Sequence, residues 1–76
     1  MPIAVYILIQ TEVGKVRKVA EEVKKIKLVK MVHAVSGEYD VIAYLETLSL
    51  QDLGDIITEI HKIDGVRRTQ TCIELV

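Results

Sequence analysis

The sequence predicts an α+β fold. Four strands and two helices follow in the order strand, helix, strand, strand, helix, strand, as one domain over residues 1–76. Three observations predict it. Ile3 to Gln10 is a run with β-branched residues at every odd position, apolar at odd and, up to Leu8, at even positions alike. Apolar residues then return every three or four positions in two windows, from Val13 to Ile26 and from Leu50 to Ile63, which is helical spacing. Two apolar stretches, Leu28 to Ser36 and Tyr39 to Thr47, lie between those windows, and a third, Val66 to Leu75, closes the chain.

Each element has its own reason. In the first strand Ile3, Val5, Ile7 and Ile9 alternate with Ala4, Tyr6 and Leu8, so both faces need cover. Thr11 is suited to cap the first helix, whose buried stripe is Val13, Val16, Val19, Ala20, Val23 and Ile26. Lys24, Lys25 and Lys27 fall near its end, where the helix dipole favours cations. The second and third strands are joined by Ser36 to Asp40. Ser49, with Asp52 three residues on, reads as the capped start of the second helix. Its stripe is Leu50, Leu53, Ile56, Ile57, Ile60 and Ile63, and Asp64-Gly65 ends it, Gly65 being suited to the left-handed position after a helix. This order is that of a ferredoxin-like unit: a four-stranded antiparallel sheet with two helices on one face.

Bulk properties narrow the function. A chain of 76 residues buries only about 60% of its unfolded surface and is marginal alone. One cysteine, Cys72, permits no internal disulfide, and no cluster of cysteine and histidine suggests a structural metal. Half the residues are apolar, and mean hydropathy is +0.30. A sheet face left open by the fold would be sticky, and the simplest cover is the same face of a second copy, giving a dimeric α+β sandwich or barrel. Net charge of -1 argues against a strongly cationic nucleic-acid binder. The longest apolar run, Ile3 to Ile9, is far short of a membrane span. A free thiol and no recognisable signal peptide lead to an expectation of a cytoplasmic protein.

Two motifs carry a family resemblance. Ser36-Gly37-Glu38-Tyr39-Asp40, followed by an apolar strand, resembles the Gly-x-Tyr/Phe-Asp hairpin of Lrp/AsnC transcriptional regulators. Gly65-Val66-Arg67-Arg68-Thr69-Gln70-Thr71 resembles that family's Gly-Val-x-x-Thr-x-Thr last strand. The likeness covers essentially the whole chain, but only the C-terminal effector (RAM) domain of those regulators. A chain opening directly on the first strand is expected to lack their helix-turn-helix and to bind no nucleic acid itself. The resemblance implies dimers that assemble into rings, octamers or decamers, with a free amino acid bound between dimers. Its output would be indirect, through a full-length Lrp-type regulator.

The hairpin residues suit that ligand. Gly37 lets backbone approach closely, and the amides around Gly37, Glu38 and Tyr39 can receive a carboxylate. Asp40 can accept from an ammonium. Thr69 and Thr71 alternate onto one face of the last strand and can add hydroxyls. With a two-residue turn at Gly37-Glu38, His33 opposes Ile42 and Asp40 opposes Val35, which makes His33 a diagonal neighbour of Asp40. Asp55 and Glu59, four apart on the second helix, form either a solvated face or an acidic patch that receives an ammonium. Ser36, Gly37 and Glu38 are also ordinary turn chemistry. Arg67 and Arg68 suit a ligand carboxylate or a salt bridge between subunits. No nucleophile–base pair, metal set or cofactor motif is evident, so the expectation is a non-catalytic module. The alternatives are a small dimeric enzyme of the cofactor-free oxygenase or isomerase type, or an assembly partner that binds no ligand.

Overall fold

A computed structural model describes residues 1–76 and contains the six expected elements in the expected order. They are β1 (Ile3–Thr11), α1 (Val16–Lys24), β2 (Val29–Ala34), β3 (Val41–Thr47), α2 (Leu50–His61) and β4 (Val66–Ile73). The strands form one antiparallel sheet in the order β2-β3-β1-β4. This is the ferredoxin-like arrangement, with the longest and most apolar strand in the middle.

Directly opposed residues share a sheet face, so the register separates the two faces. Val5, Ile7 and Ile9 pair with Leu45, Ala43 and Val41, and all six are buried beneath the helices. Val19, Ala20 and Val23 of α1 and Leu53, Ile56 and Ile60 of α2 complete that core. Tyr6, Leu8, Ile42 and Tyr44 point the other way and have no second layer. Tyr6 stays 39% exposed and Met31 49% exposed, so the open face is apolar at its centre.

Four local expectations need correction. Thr11 does not cap α1. It extends β1, is buried, and gives its amide to the Asp40 carboxylate. The chain turns through Gly14, at φ +82, and α1 starts at Val16 with Lys15 as a cap that makes no side-chain bond. Val13 therefore leaves the buried stripe and is fully exposed. Leu50, the first residue of α2, is also exposed (64%) and leaves the stripe. Ser49 does accept from the Asp52 amide at 3.1 Å, but its own amide turns back to the Thr47 hydroxyl.

Gly65 lies three residues beyond the C-cap Lys62, so it is not the residue that stops α2. Its φ is +103, and a β-carbon there would fall 2.8 Å from the Lys15 Cβ. Close passage of the β4 start against the α1 start requires this glycine. The turn after α1 repeats the geometry with Leu28 at φ +79, a conformation that is unfavourable for a branched side chain. Just after it the ladder slips: Val29 pairs with Leu45 but Met31 with Tyr44, a bulge at Lys30. The slip turns Val29 toward the core and leaves Met31 and His33 on the open face, so simple alternation along β2 fails.

The same region holds an exposed ion-pair cluster. Asp64 accepts from Lys15 Nζ and Lys18 Nζ, each at 2.9 Å. The hydrogen bond from Lys15, then that from Lys18, holds the Asp64 carboxyl down at about 2. A carboxyl whose pKa is lower folded than unfolded stabilises above its unfolded value and loses that contribution as pH falls toward the folded one. Asp64→Asn is therefore expected to melt below wild type at neutral pH. The gap should close between roughly pH 4 and 2, as read by thermal unfolding of both proteins across that range. The effect is modest because every partner is exposed.

Candidate functional site

The hairpin between β2 and β3 is the most constructed feature of the surface. Its register is the expected one. His33 opposes Ile42, Ala34 opposes Val41, and the Val35 amide donates to the Asp40 carbonyl at 2.8 Å. Gly37 takes φ +119 at the turn, which favours glycine. Asp40 then ties the hairpin to the neighbouring strand. Its amide donates to the Ile9 carbonyl at 2.9 Å, and its Oδ2 accepts from the Thr11 amide at 2.9 Å and the Thr11 hydroxyl at 3.4 Å. Asp40 is thus partly a structural pin. Its Oδ1 makes no bond within the chain and keeps acceptor capacity.

The tip leans across β1 onto β4. The Tyr39 hydroxyl donates to Gln70 Oε1 at 2.8 Å, and the Arg68 guanidinium lies 5.3 Å from the Tyr39 ring centroid. Arg68 Nη2 stands 3.8 Å from Glu38 Oε2, and Gln10 Nε2 donates to the Glu38 carbonyl at 3.4 Å. Of the sequence alternatives for Arg68, the contact within one chain is a loose pair with Glu38 and a cation–π stack. Gln10, Thr11 and Gln70 carry this arrangement, a role for which the sequence marks none of them: Thr11 reads there only as a helix cap. The signal was available in the fold: β4 lies beside β1, which sets Arg68 opposite Gln10 and Gln70 opposite Leu8.

The other expected residues separate into distinct places. Ser36, Gly37 and Glu38 are exposed at the tip, while Tyr39 and Asp40 are half-buried beneath it. Thr69 and Thr71 pair with the core residues Ile9 and Ile7, so they face the helices, opposite Arg68 and Gln70. Thr69 Oγ1 is 3.0 Å from His61 Nε2 of α2. His33 is exposed on the open face and lines a groove of about 320 Å³ along the β2 edge with Lys24, Met31 and Val32. Asp55 and Glu59 line a smaller groove at the far end of the helices, with Lys27, Leu28 and Asp52. One chain therefore brings together Ser36 to Asp40. It does not bring the threonines or the α2 carboxylates to them. None of these grooves encloses the hairpin, so enclosure of a ligand there requires a second surface.

The opposite corner of the open face carries a second polar set. The Tyr44 hydroxyl donates to Glu46 Oε2 at 2.7 Å, and Lys30 Nζ donates to Glu46 Oε1 at 3.0 Å. The bond to Glu46, then loss of solvent, pushes the Tyr44 phenol up to about 12, and the bonds from Tyr44 and Lys30 hold Glu46 below the usual carboxylate range. Tyr6 packs on Tyr44 with ring centroids 5.0 Å apart. Polar corners thus frame an apolar strip of Tyr6, Leu8, Ile42, Tyr44 and Met31.

Comparison with known proteins gives a consistent result. The Lrp/AsnC ligand binding domain matches residues 4–75. An HTH-type transcriptional regulator of Pyrococcus abyssi is 39% identical over 72 residues, which are 93% of this chain and 46% of the regulator. The chain spans about half the length of the regulators it matches. Among solved structures, PHS023 of Pyrococcus horikoshii superposes with a TM-score of 0.86 at 39% identity, covering 97% of this chain and 90% of that one. TTHA0845 of Thermus thermophilus superposes with a TM-score of 0.92 at 28% identity, covering 97% and 94%.

Proposed function

The chain belongs to the Lrp/AsnC ligand-binding domain family, and we propose that it is a non-catalytic, amino-acid-sensing module that pairs through its open sheet face and binds its ligand at the Ser36–Asp40 hairpin. The observation that carries this reading is the position of that hairpin. It presents the turn at Gly37 and the free Oδ1 of Asp40 at the rim of an exposed apolar sheet face. Backbone amides at the turn receive the ligand carboxylate, Asp40 receives the ammonium, and a neighbouring copy closes the site.

In this reading two copies stack their open faces, burying Tyr6, Leu8, Ile42 and Tyr44. Dimers then meet at their hairpins and assemble into rings. Thr69 and Thr71, which face the helices within their own chain, and the α2 carboxylates Asp55 and Glu59 reach a ligand only where another dimer presents them. His33 sits on the same rim. The ligand shifts assembly by the difference between its affinities for the two states. The output passes to a full-length regulator of the same family, which offers the matching sheet face. The expected setting is the cytoplasm; no helix is long and apolar enough to cross a membrane.

The test is thermal unfolding of the protein against a panel of free amino acids, with light scattering on the same samples. A ligand at 100 times its Kd adds about 2.7 kcal/mol per site, which moves the midpoint of a domain this small by roughly 10–20 °C. One or a few amino acids are expected to raise the midpoint and change the mass. A panel without any shift would remove the sensing function and leave an assembly partner.

A further inference from the structure

The hairpin is held at two places of different character. At its base, Asp40 is fixed by backbone bonds to Ile9 and Val35 and by the Thr11 amide. Its tip is held by side chains, mainly the Tyr39 bond to Gln70, the Arg68 stack on Tyr39 and the long Arg68–Glu38 pair. Between base and tip the chain turns at Gly37, where the space around the backbone is open. Arg68 and Glu38 are 56% and 77% exposed, and exposed pairs of this kind hold weakly. Opening of the tip would thus break only side-chain contacts and leave the sheet ladder intact.

The tip's anchors share a location. Gln10, Arg68 and Gln70 lie on the sheet face away from the helices, in line with Leu8, Tyr6 and Cys72. A second sheet laid on Leu8 meets Gln70 and Arg68 next.

We propose that residues 36–39 form a strap which Arg68 holds closed over one end of the open face, and that strap closure and pairing of two copies through that face favour each other. Arg68 is a positioning residue: it acts by fixing Tyr39 and Glu38. A closed strap presents a rim already ordered for the second copy, which lowers the cost of association. By linkage, pairing must then protect the strap in return. This rests on the sheet-face pairing proposed above and not on the identity of any ligand.

NMR relaxation of the full chain without ligand, at several protein concentrations, tests it: the amides of residues 36–39 make no hydrogen bonds within the chain, and their mobility reports the strap directly. In wild type, the backbone order parameters of Gly37, Glu38 and Tyr39 should rise as the protein passes from monomer to dimer. Arg68→Ala should lower them in the monomer, leave those of β1 and β3 unchanged, and raise the dimer dissociation constant in sedimentation by about three-fold or more. Arg68→Lys keeps the charge without the planar stack and should fall between the two. Unchanged order parameters in Arg68→Ala would overturn the strap. Lowered order parameters with an unchanged dimer dissociation constant would overturn the linkage. Neither result depends on whether an amino acid binds.

Discussion

Alanine at Ile7 and alanine at Leu8, neighbours on the central strand, are expected to fail in different ways. Ile7 is fully buried between β3, β4 and the helices. Its truncation removes apolar burial and leaves a cavity, a loss of about 2–5 kcal/mol. A domain of this size is stable by only about 4–11 kcal/mol, so the midpoint should fall by tens of degrees or the chain should not fold at all. Leu8 points to the open face. Its truncation should leave the circular dichroism spectrum and the monomer core unchanged and weaken pairing. Leu8→Glu goes further: it sets a charge in the strip that a second copy must cover, at a cost of several kcal/mol to the pair. The expected result is a folded monomer by light scattering. A Leu8→Glu protein of wild-type mass would mean that copies do not pair through this face.

That contrast depends on register, and register is what the sequence conveyed least evenly. The alternation in Ile3 to Ile9 made both faces of β1 apolar, and the fold named which face the helices take only once the helical stripes were set against it. The stripes survive in both helices because burial decides them: Val16, Val19, Ala20 and Val23 in one, Leu53, Ile56 and Ile60 in the other. The element ends do not survive, for physical reasons. Thr11 is a good cap by type, but the Asp40 carboxylate, 29 residues away, takes both its hydroxyl and its amide, and the strand continues through it. Leu28 is a poor residue for a left-handed turn by its own preference, so no local rule marks it, yet the bulge that follows decides which β2 side chains reach the open face. At the hairpin, the turn residues and the His33–Ile42 register were legible because both are local. The partner of Arg68 and Gln70 was not, because Tyr39 is about 30 residues distant from both and is reached across β1.

Asp40 then separates the two roles given to it. Asp40→Ala removes the acceptor of the Thr11 amide, and Thr11 is only 7% exposed, so a nearly buried donor loses its partner. That costs about 1–3 kcal/mol, a fall of roughly 5–20 °C in the midpoint of a chain this small. Asp40→Asn keeps an oxygen for Thr11 and is expected to melt close to wild type. It does not keep the charge. If Asp40 receives the ligand ammonium, both variants lose amino-acid binding by about thirty-fold or more, the scale of a lost charge-assisted partner. Calorimetric titration with the amino acid that shifts wild type decides it. Loss in both variants, with stability lost only in alanine, assigns Asp40 to the ligand as well as to the fold. Wild-type affinity in Asp40→Asn would confine Asp40 to holding Thr11, and the ammonium would then have to be met by another acceptor, with Glu38 at the tip and the Asp55–Glu59 pair of a neighbouring copy the next to be substituted.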